Sequence, residues 1–215
     1  MSQTDAEILW DVARVLAREA APVSRGEGRA HSNPPLLFFT DPERTPRPWE
    51  TAAHLPAGSG VVLRLFGRPD ARETALRLRE VTRDRDVRLL IGLDADLADA
   101  VGADGVHLPE RALDQAAGLR AARPGWWITG AAHATTAPEA PGLDALIVSP
   151  VFPAGGASGD RPALGTAAFR TLVATAPCPV YALGGINAVN ARALIGSGAC
   201  GLAGVGAVQA AFGPA

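Results

Sequence analysis

The sequence predicts an α/β protein: a single (β/α)8 TIM barrel preceded by an extra N-terminal helix. Two observations carry this prediction. From Leu36 onward, eight apolar runs of four or five residues alternate with crossovers, most of them amphipathic. The glycine clusters lie late, after the seventh and eighth runs, where barrels commonly place a phosphate site. An open doubly wound sheet would show its glycine-rich turn after the first strand. Here the first run leads into Thr40-Asp41-Pro42-Glu43.

The elements follow in order. Residues 4–21 set Ile8, Leu9, Val12, Val15 and Leu16 on one helical face, and Thr4 with Glu7 fits a capping box. Residues 24–35 are polar, rich in Gly and Arg, and end in two prolines, the composition of a linker. Residues 1–34 therefore read as a helix and linker, capping a barrel end, and residues 35–215 as the barrel domain. The strand runs are 36–39, 61–65, 88–91, 105–108, 127–130, 145–149, 180–183 and 201–205. Amphipathic helices are expected at 70–85, 94–101, 113–122, 166–176 and 190–196. The crossovers at 48–55 and 135–143 are too short for more than a turn or two.

Composition narrows the chemistry. The 215 residues are 47% hydrophobic, enough for a sizeable core, and the formal net charge is −2, which gives no reason to expect a nucleic-acid partner. All 20 basic residues are arginine. Schiff-base chemistry, a lysine general base and a lysine phosphate ligand are thereby excluded. Cys178 and Cys200 show no metal spacing and read as buried thiols of a reducing compartment. No apolar run approaches the roughly twenty residues of a membrane span, and the acidic, polar residues before Ile8 are unlike a secretory signal. The expected location is cytoplasmic, with no membrane partner. Trp126 and Trp127, if exposed as a pair, would point to a homo-oligomer interface.

The candidate site begins with glycine. Gly184 and Gly185 close run seven, while Gly204, Val205 and Gly206 form the exit of run eight. Two such clusters at adjacent strand ends let backbone N–H groups approach an anion unobstructed, and a following helix N-terminus would add partial positive charge. Tight turns alone would use the same residues.

Five segments carry a family resemblance. They are Phe39-Thr40-Asp41, Ala103-Asp104-Gly105-Val106-His107-Leu108, residues 144–153 (DALIVSPVFP), Ala182-Leu183-Gly184-Gly185-Ile186 and Gly201-Leu202-Ala203-Gly204-Val205. In order and spacing they resemble the thiamin phosphate synthases and their thiazole tautomerase relatives, over about residues 36–212. The resemblance implies a barrel that binds a thiazole phosphate on the glycine turns. In synthases a pyrimidine pyrophosphate and Mg²⁺ bind beside it, and the thiazole nitrogen attacks the pyrimidine methylene carbon as pyrophosphate leaves.

Departures from the family pattern fall on the metal and pyrophosphate half. A second strand ending V-Q-L-R-x-K is replaced by Val61-Val62-Leu63-Arg64-Leu65-Phe66, which keeps Arg64 as a substrate ligand. The Asn-Asp that ends the third strand aligns with Gly92 and Leu93. Asp94 lies one residue late, and reads as a helix cap rather than a restored ligand. The second metal carboxylate falls at Ala112, leaving Glu110 as the possible stand-in. The strand-six loop has lost its lysine; its Arg161 is a candidate phosphate clamp or a solvated charge.

His133 aligns with the histidine of a family S-x-H segment, its serine replaced by Ala131. In the tautomerase branch that histidine is implicated in moving a proton on a thiazole phosphate carboxylate, work that suits imidazole. His107, within the fourth-strand motif, reads as structural or as a ligand contact.

Three functions are compatible with these residues. The first is metal-independent proton transfer through His133, with no cofactor. The second is a divergent thiamin phosphate synthase, using Mg²⁺ with Asp94, Glu110, Arg64 and Arg161 as replacement ligands. The third is a non-catalytic binder of a small phosphorylated heterocycle.

Overall fold

A computed structural model describes residues 3–24, 33–155 and 160–214. Residues 25–32 of the expected linker, with His31, and residues 156–159 of the strand-six loop lie outside the described residues. Eight parallel strands close into a barrel in chain order, the eighth pairing with the first. They are β1 (Leu36–Phe39), β2 (Gly60–Leu63), β3 (Arg88–Gly92), β4 (Gly105–Leu108), β5 (Trp127–Ala132), β6 (Ala145–Val148), β7 (Val180–Ala182) and β8 (Gly201–Gly204). The helices are α1 (Asp5–Ser24), α2 (Pro48–Ala52), α3 (Ala71–Arg83), α4 (Ala95–Val101), α5 (Ala116–Ala122), α6 (Gly165–Thr175) and α7 (Gly206–Phe212).

Both faces of each strand are covered, which is why the runs read as continuous apolar stretches. Alternate residues point into the lumen, where Leu37, Phe39, Val62, Leu90, Trp127, Ile147, Tyr181 and Ala203 form one core. The opposite set, with Phe38, Val61, Leu89, Ile128, Leu146 and Leu202, packs under the helices. The lower lumen is filled by two large rings, Trp127 and Tyr181, with centroids 6.2 Å apart. Only a residue without a side chain fits beside them: a Cβ on Gly201 would lie 2.3 Å from the Pro35 carbonyl oxygen and 2.7 Å from the Tyr181 ring. The Tyr181 hydroxyl donates to the Pro34 carbonyl at 2.6 Å and ties the chain entering β1 to the barrel floor.

The same device recurs twice along that floor. Asp104, just before β4, accepts the Leu89 amide of β3 at 2.7 Å and pairs with Arg79 of α3. Asp144, just before β6, accepts the Ile128 amide of β5 at 2.7 Å and pairs with Arg120 of α5. Each aspartate thus clips the start of its strand to the neighbouring strand and to the helix that precedes that neighbour.

Four local expectations change. First, α1 lies along the barrel flank, not over an end: Leu9, Val12, Ala13 and Leu16 are buried, and the helix packs on β8, on α7 and on a 3₁₀ segment, Ala191–Leu194. The reciprocal Thr4–Glu7 bonds of a capping box start it. Second, the amphipathic helix expected at 190–196 is that single 3₁₀ turn, which leaves room on the flank for α1. Third, Trp127 is a lumen residue only 2% exposed, and Trp126 is half-buried against Arg123, so the two do not form an exposed pair. Fourth, Cys200 is buried while Cys178 is only half-buried. No described helix is long and apolar enough to cross a membrane.

Candidate anion site at the barrel rim

Parallel closure sends every strand's C-terminus to one rim, so the loops after β1, β2, β6, β7 and β8 meet there. They enclose a cavity of about 330 Å³ lined by Arg44, Arg64, residues 153–155, residues 183–187 and residues 203–207. Both glycine clusters therefore face one space. Gly184 has φ +93° and Gly185 φ +68°, and a Cβ on Gly185 would sit 2.4 Å from the Pro153 carbonyl oxygen. A side chain at either position is excluded by both backbone angle and space. The turn is closed by Asn190, whose side chain donates to the Gly185 carbonyl and accepts the Asn187 amide. The elements after these glycines are short, a 3₁₀ turn and the seven-residue α7. Positive character comes instead from two arginines.

Arg64 leaves β2 with its amide donating to Thr40 Oγ1 and its Nε to the Thr40 carbonyl, at 2.9 and 2.8 Å. Its guanidinium carbon stands 5.4 Å from the centre of the Phe39 ring. Burial lowers the Arg64 pKa below the ordinary arginine value; Asp41 opposes that shift and Arg44 adds to it.

Arg44 was not among the sequence candidates. It follows an Asx turn in which Asp41 Oδ1 accepts the amides of Glu43 and Arg44, while Oδ2 pairs with the Arg44 guanidinium at 2.9 Å. Burial raises the Asp41 carboxyl pKa, but the Arg44 contacts and the Glu43 amide outweigh it and leave the group below its usual range. An Asp-Pro turn signal directly after the first strand was the clue that would have flagged this residue.

The other candidates lie elsewhere. His107 points into the lumen, 4% exposed, with Nδ1 3.0 Å from Thr129 Oγ1 and its ring edge-on to Phe39. Burial, with Arg64 and His133 nearby, pushes its pKa down to about 3, so it is neutral near pH 7. His133 sits at the end of β5, half-buried, with Nδ1 2.9 Å from the Ser149 carbonyl oxygen and its amide donating to Glu110 at 3.2 Å. Neither histidine lines the anion cavity, and neither does Arg161, which is exposed.

The metal half shows a different surface. Asp94 caps α4 by accepting the Leu97 amide at 2.8 Å. Glu110 is exposed and engaged with the His133 amide. Leu93 stands left-handed at φ +65°, a conformation costing a non-glycine residue about 1–2 kcal/mol. The Phe66 ring covers Gly92, leaving no room there for a side chain, since a Cβ would lie 2.9 Å from Phe66 Cε1. No group of three metal-capable side chains occurs among the described residues. The donors present do not fit an Mg²⁺ site.

Comparison with known proteins agrees with this architecture. Residues 51–208 match the family model described as thiamine monophosphate synthase. The chain is 36% identical to a thiamine-phosphate synthase of Methanoculleus marisnigri, covering 67% of this chain and 70% of that protein. It is 30% identical to one from Chlorobium phaeovibrioides, covering 83% and 88% respectively. Among solved structures, thiamine phosphate pyrophosphorylase from Pyrococcus furiosus superposes with a TM-score of 0.67 at 26% identity, over 82% of this chain and 91% of that one.

Proposed function

The chain belongs to the thiamine monophosphate synthase family, and we propose that it binds a thiazole phosphate at the barrel rim and acts on it in the formation of thiamin phosphate. The observation that carries this reading is the convergence of both glycine turns with Arg44 and Arg64 on one cavity. Backbone amides and guanidinium groups are strong phosphate donors, and a closed turn holds them in place before the ligand arrives. Anchoring the phosphate would direct the attached heterocycle towards the barrel axis.

The relatives' names support the joining reaction over the proton transfer that sequence reasoning put first. In that reaction a C–N bond forms from the thiazole nitrogen to the pyrimidine methylene carbon. The C–O bond to pyrophosphate breaks, and pyrophosphate leaves with the electron pair. The chain's own residues supply the thiazole half of this arrangement. Mg²⁺ would shield the leaving group, but Asp94 and Glu110 are engaged elsewhere, so no step is assigned to a metal.

One observation favours proton transfer as a second reading. His133 Nδ1 is held by both the carbonyl oxygen and the hydroxyl of Ser149, at 2.9 and 3.1 Å, which positions the imidazole at the end of β5 with Nε2 as the nitrogen available to exchange a proton. One experiment separates the two. The purified chain is incubated with pyrimidine pyrophosphate, thiazole phosphate and Mg²⁺, and thiamin phosphate is followed by fluorescence after oxidation. Product that disappears with EDTA supports the joining reaction and means that the engaged carboxylates rearrange to hold a metal. Absence of product, with thiazole phosphate still bound, moves the assignment to His133 chemistry. A chain that binds no thiazole phosphate contradicts both readings.

A further inference from the structure

We propose that Arg44 is a second guanidinium ligand of the bound phosphate, forming with Arg64 a two-armed clamp opposite the glycine turns. The inference rests on the cavity being a phosphate site and adds a ligand from the loop after β1.

Both arginines line the cavity that Gly184, Gly185 and Gly204 line. They reach it differently. Arg64 is fixed from below by two bonds to Thr40, and it has no ion pair among the described residues. Arg44 is held from the side by Asp41, which also organises the turn that presents it. A guanidinium carries five N–H donors, and the bond from Arg44 to Asp41 and that from Arg64 Nε to the Thr40 carbonyl each occupy one, so both groups keep donors for an anion in the cavity. A phosphate offers several anionic oxygens and can accept from both arms at once, whereas a neutral ligand offers neither cation a charged partner.

The electrostatics agree with two neighbouring cationic arms. Arg44 and Arg64 are close enough for Arg44 to lower the proton affinity of Arg64, even though Asp41 lies between them in charge. Placing two cations side by side, one of them largely desolvated, is unfavourable in an empty cavity and is relieved when an anion enters. Arg44 is also partly exposed, its side chain at 40%. Its guanidinium can therefore re-aim towards a ligand while Asp41 Oδ1 holds the Arg44 backbone amide in place. If Arg44 served only to fasten the loop, its Asp41 bond would suffice and the cavity would not depend on it.

The test uses the full chain and inorganic phosphate, with dissociation constants measured by calorimetry. Arg44→Ala is expected to raise Kd about ten-fold, the loss of one charge-assisted contact. Arg44→Lys, which keeps the charge and loses the planar fork, should fall between. Arg47→Ala is the control: Arg47 lies on the same loop, is 67% exposed and pairs with Glu50 outside the cavity, so its Kd should match the wild type. Wild-type affinity in Arg44→Ala, or an equal loss in Arg47→Ala, overturns the clamp while leaving the cavity reading intact. Failure of the unaltered chain to bind phosphate overturns the cavity reading and the clamp together. Should Arg44→Ala fail to fold, Arg44→Lys decides, since unchanged affinity there with a reduced charge-to-donor match rejects the fork.

Discussion

The imidazole Nδ1 of His133 lies 2.9 Å from the carbonyl oxygen of Ser149, across the β5–β6 pairing. Together with the Ser149 hydroxyl at 3.1 Å from the same nitrogen, that contact fixes the ring's orientation. In proton exchange on a thiazole phosphate carboxylate, His133→Ala is therefore expected to lower kcat about 100-fold. Phosphate affinity should not change, because His133 does not line the anion cavity. A fall in affinity as large as the fall in kcat would show that His133 acts on binding instead.

His107 ties stability to pH. Its folded pKa is pushed down to about 3 by burial, while the unfolded chain titrates near 6.5. Below pH 6.5 the unfolded state takes up a proton that the folded state refuses, so stability falls as pH drops from about 6.5 towards 3. Between pH 7.5 and 5, urea denaturation should show the wild type losing about 2 kcal/mol more than His107→Gln. Parallel losses in the two proteins would contradict the assignment.

Asp104 belongs to a sequence motif that carries the family resemblance, yet its position is on the barrel floor. It accepts the Leu89 amide and pairs with Arg79. Asp104→Ala should cost about 1–3 kcal/mol of unfolding free energy by leaving a strand amide without its acceptor. Inorganic phosphate affinity should stay at the wild-type value, since the rim is untouched. Lost affinity at full stability would reverse that division of roles.

Much of this was legible in the sequence, for identifiable reasons. Eight apolar runs bounded by turn residues define β1 to β8 because a strand covered on both faces needs continuous apolar residues. The late glycines were legible because a strand end approached by an anion or by another backbone tolerates nothing larger. The flank position of α1 was not, because it depends on the space that a single 3₁₀ turn leaves beside β8, and a helical face does not name its partner. Arg44 was half legible: the Asp41-Pro42 turn beside it was visible, but what the turn faces was not. The Asp41 turn presents it to a cavity whose other walls come from residues 183–187 and 203–207, far away in sequence. Which of the adjacent tryptophans is buried was open in the sequence, since the two look alike there, and strand alternation sends Trp127 inward.

The metal half yields a test independent of turnover. With Asp94 capping α4, Glu110 bound to the His133 amide and the Phe66 ring over Gly92, the described residues hold no preformed carboxylate set for Mg²⁺. Its melting temperature should be the same in millimolar Mg²⁺ as in EDTA, because a ligand stabilises only the state that binds it. A rise with Mg²⁺ that disappears in Asp94→Asn would show a site that forms on binding.

The most direct measurement is a calorimetric titration of the chain with thiazole phosphate and, separately, with the unphosphorylated thiazole alcohol. The cavity of Gly184, Gly185, Arg44 and Arg64 predicts saturable binding of the phosphate form, with the alcohol about 100-fold weaker or more for want of its charge-assisted contacts. Equal affinity for the two, or no binding of the phosphate form, would contradict the account.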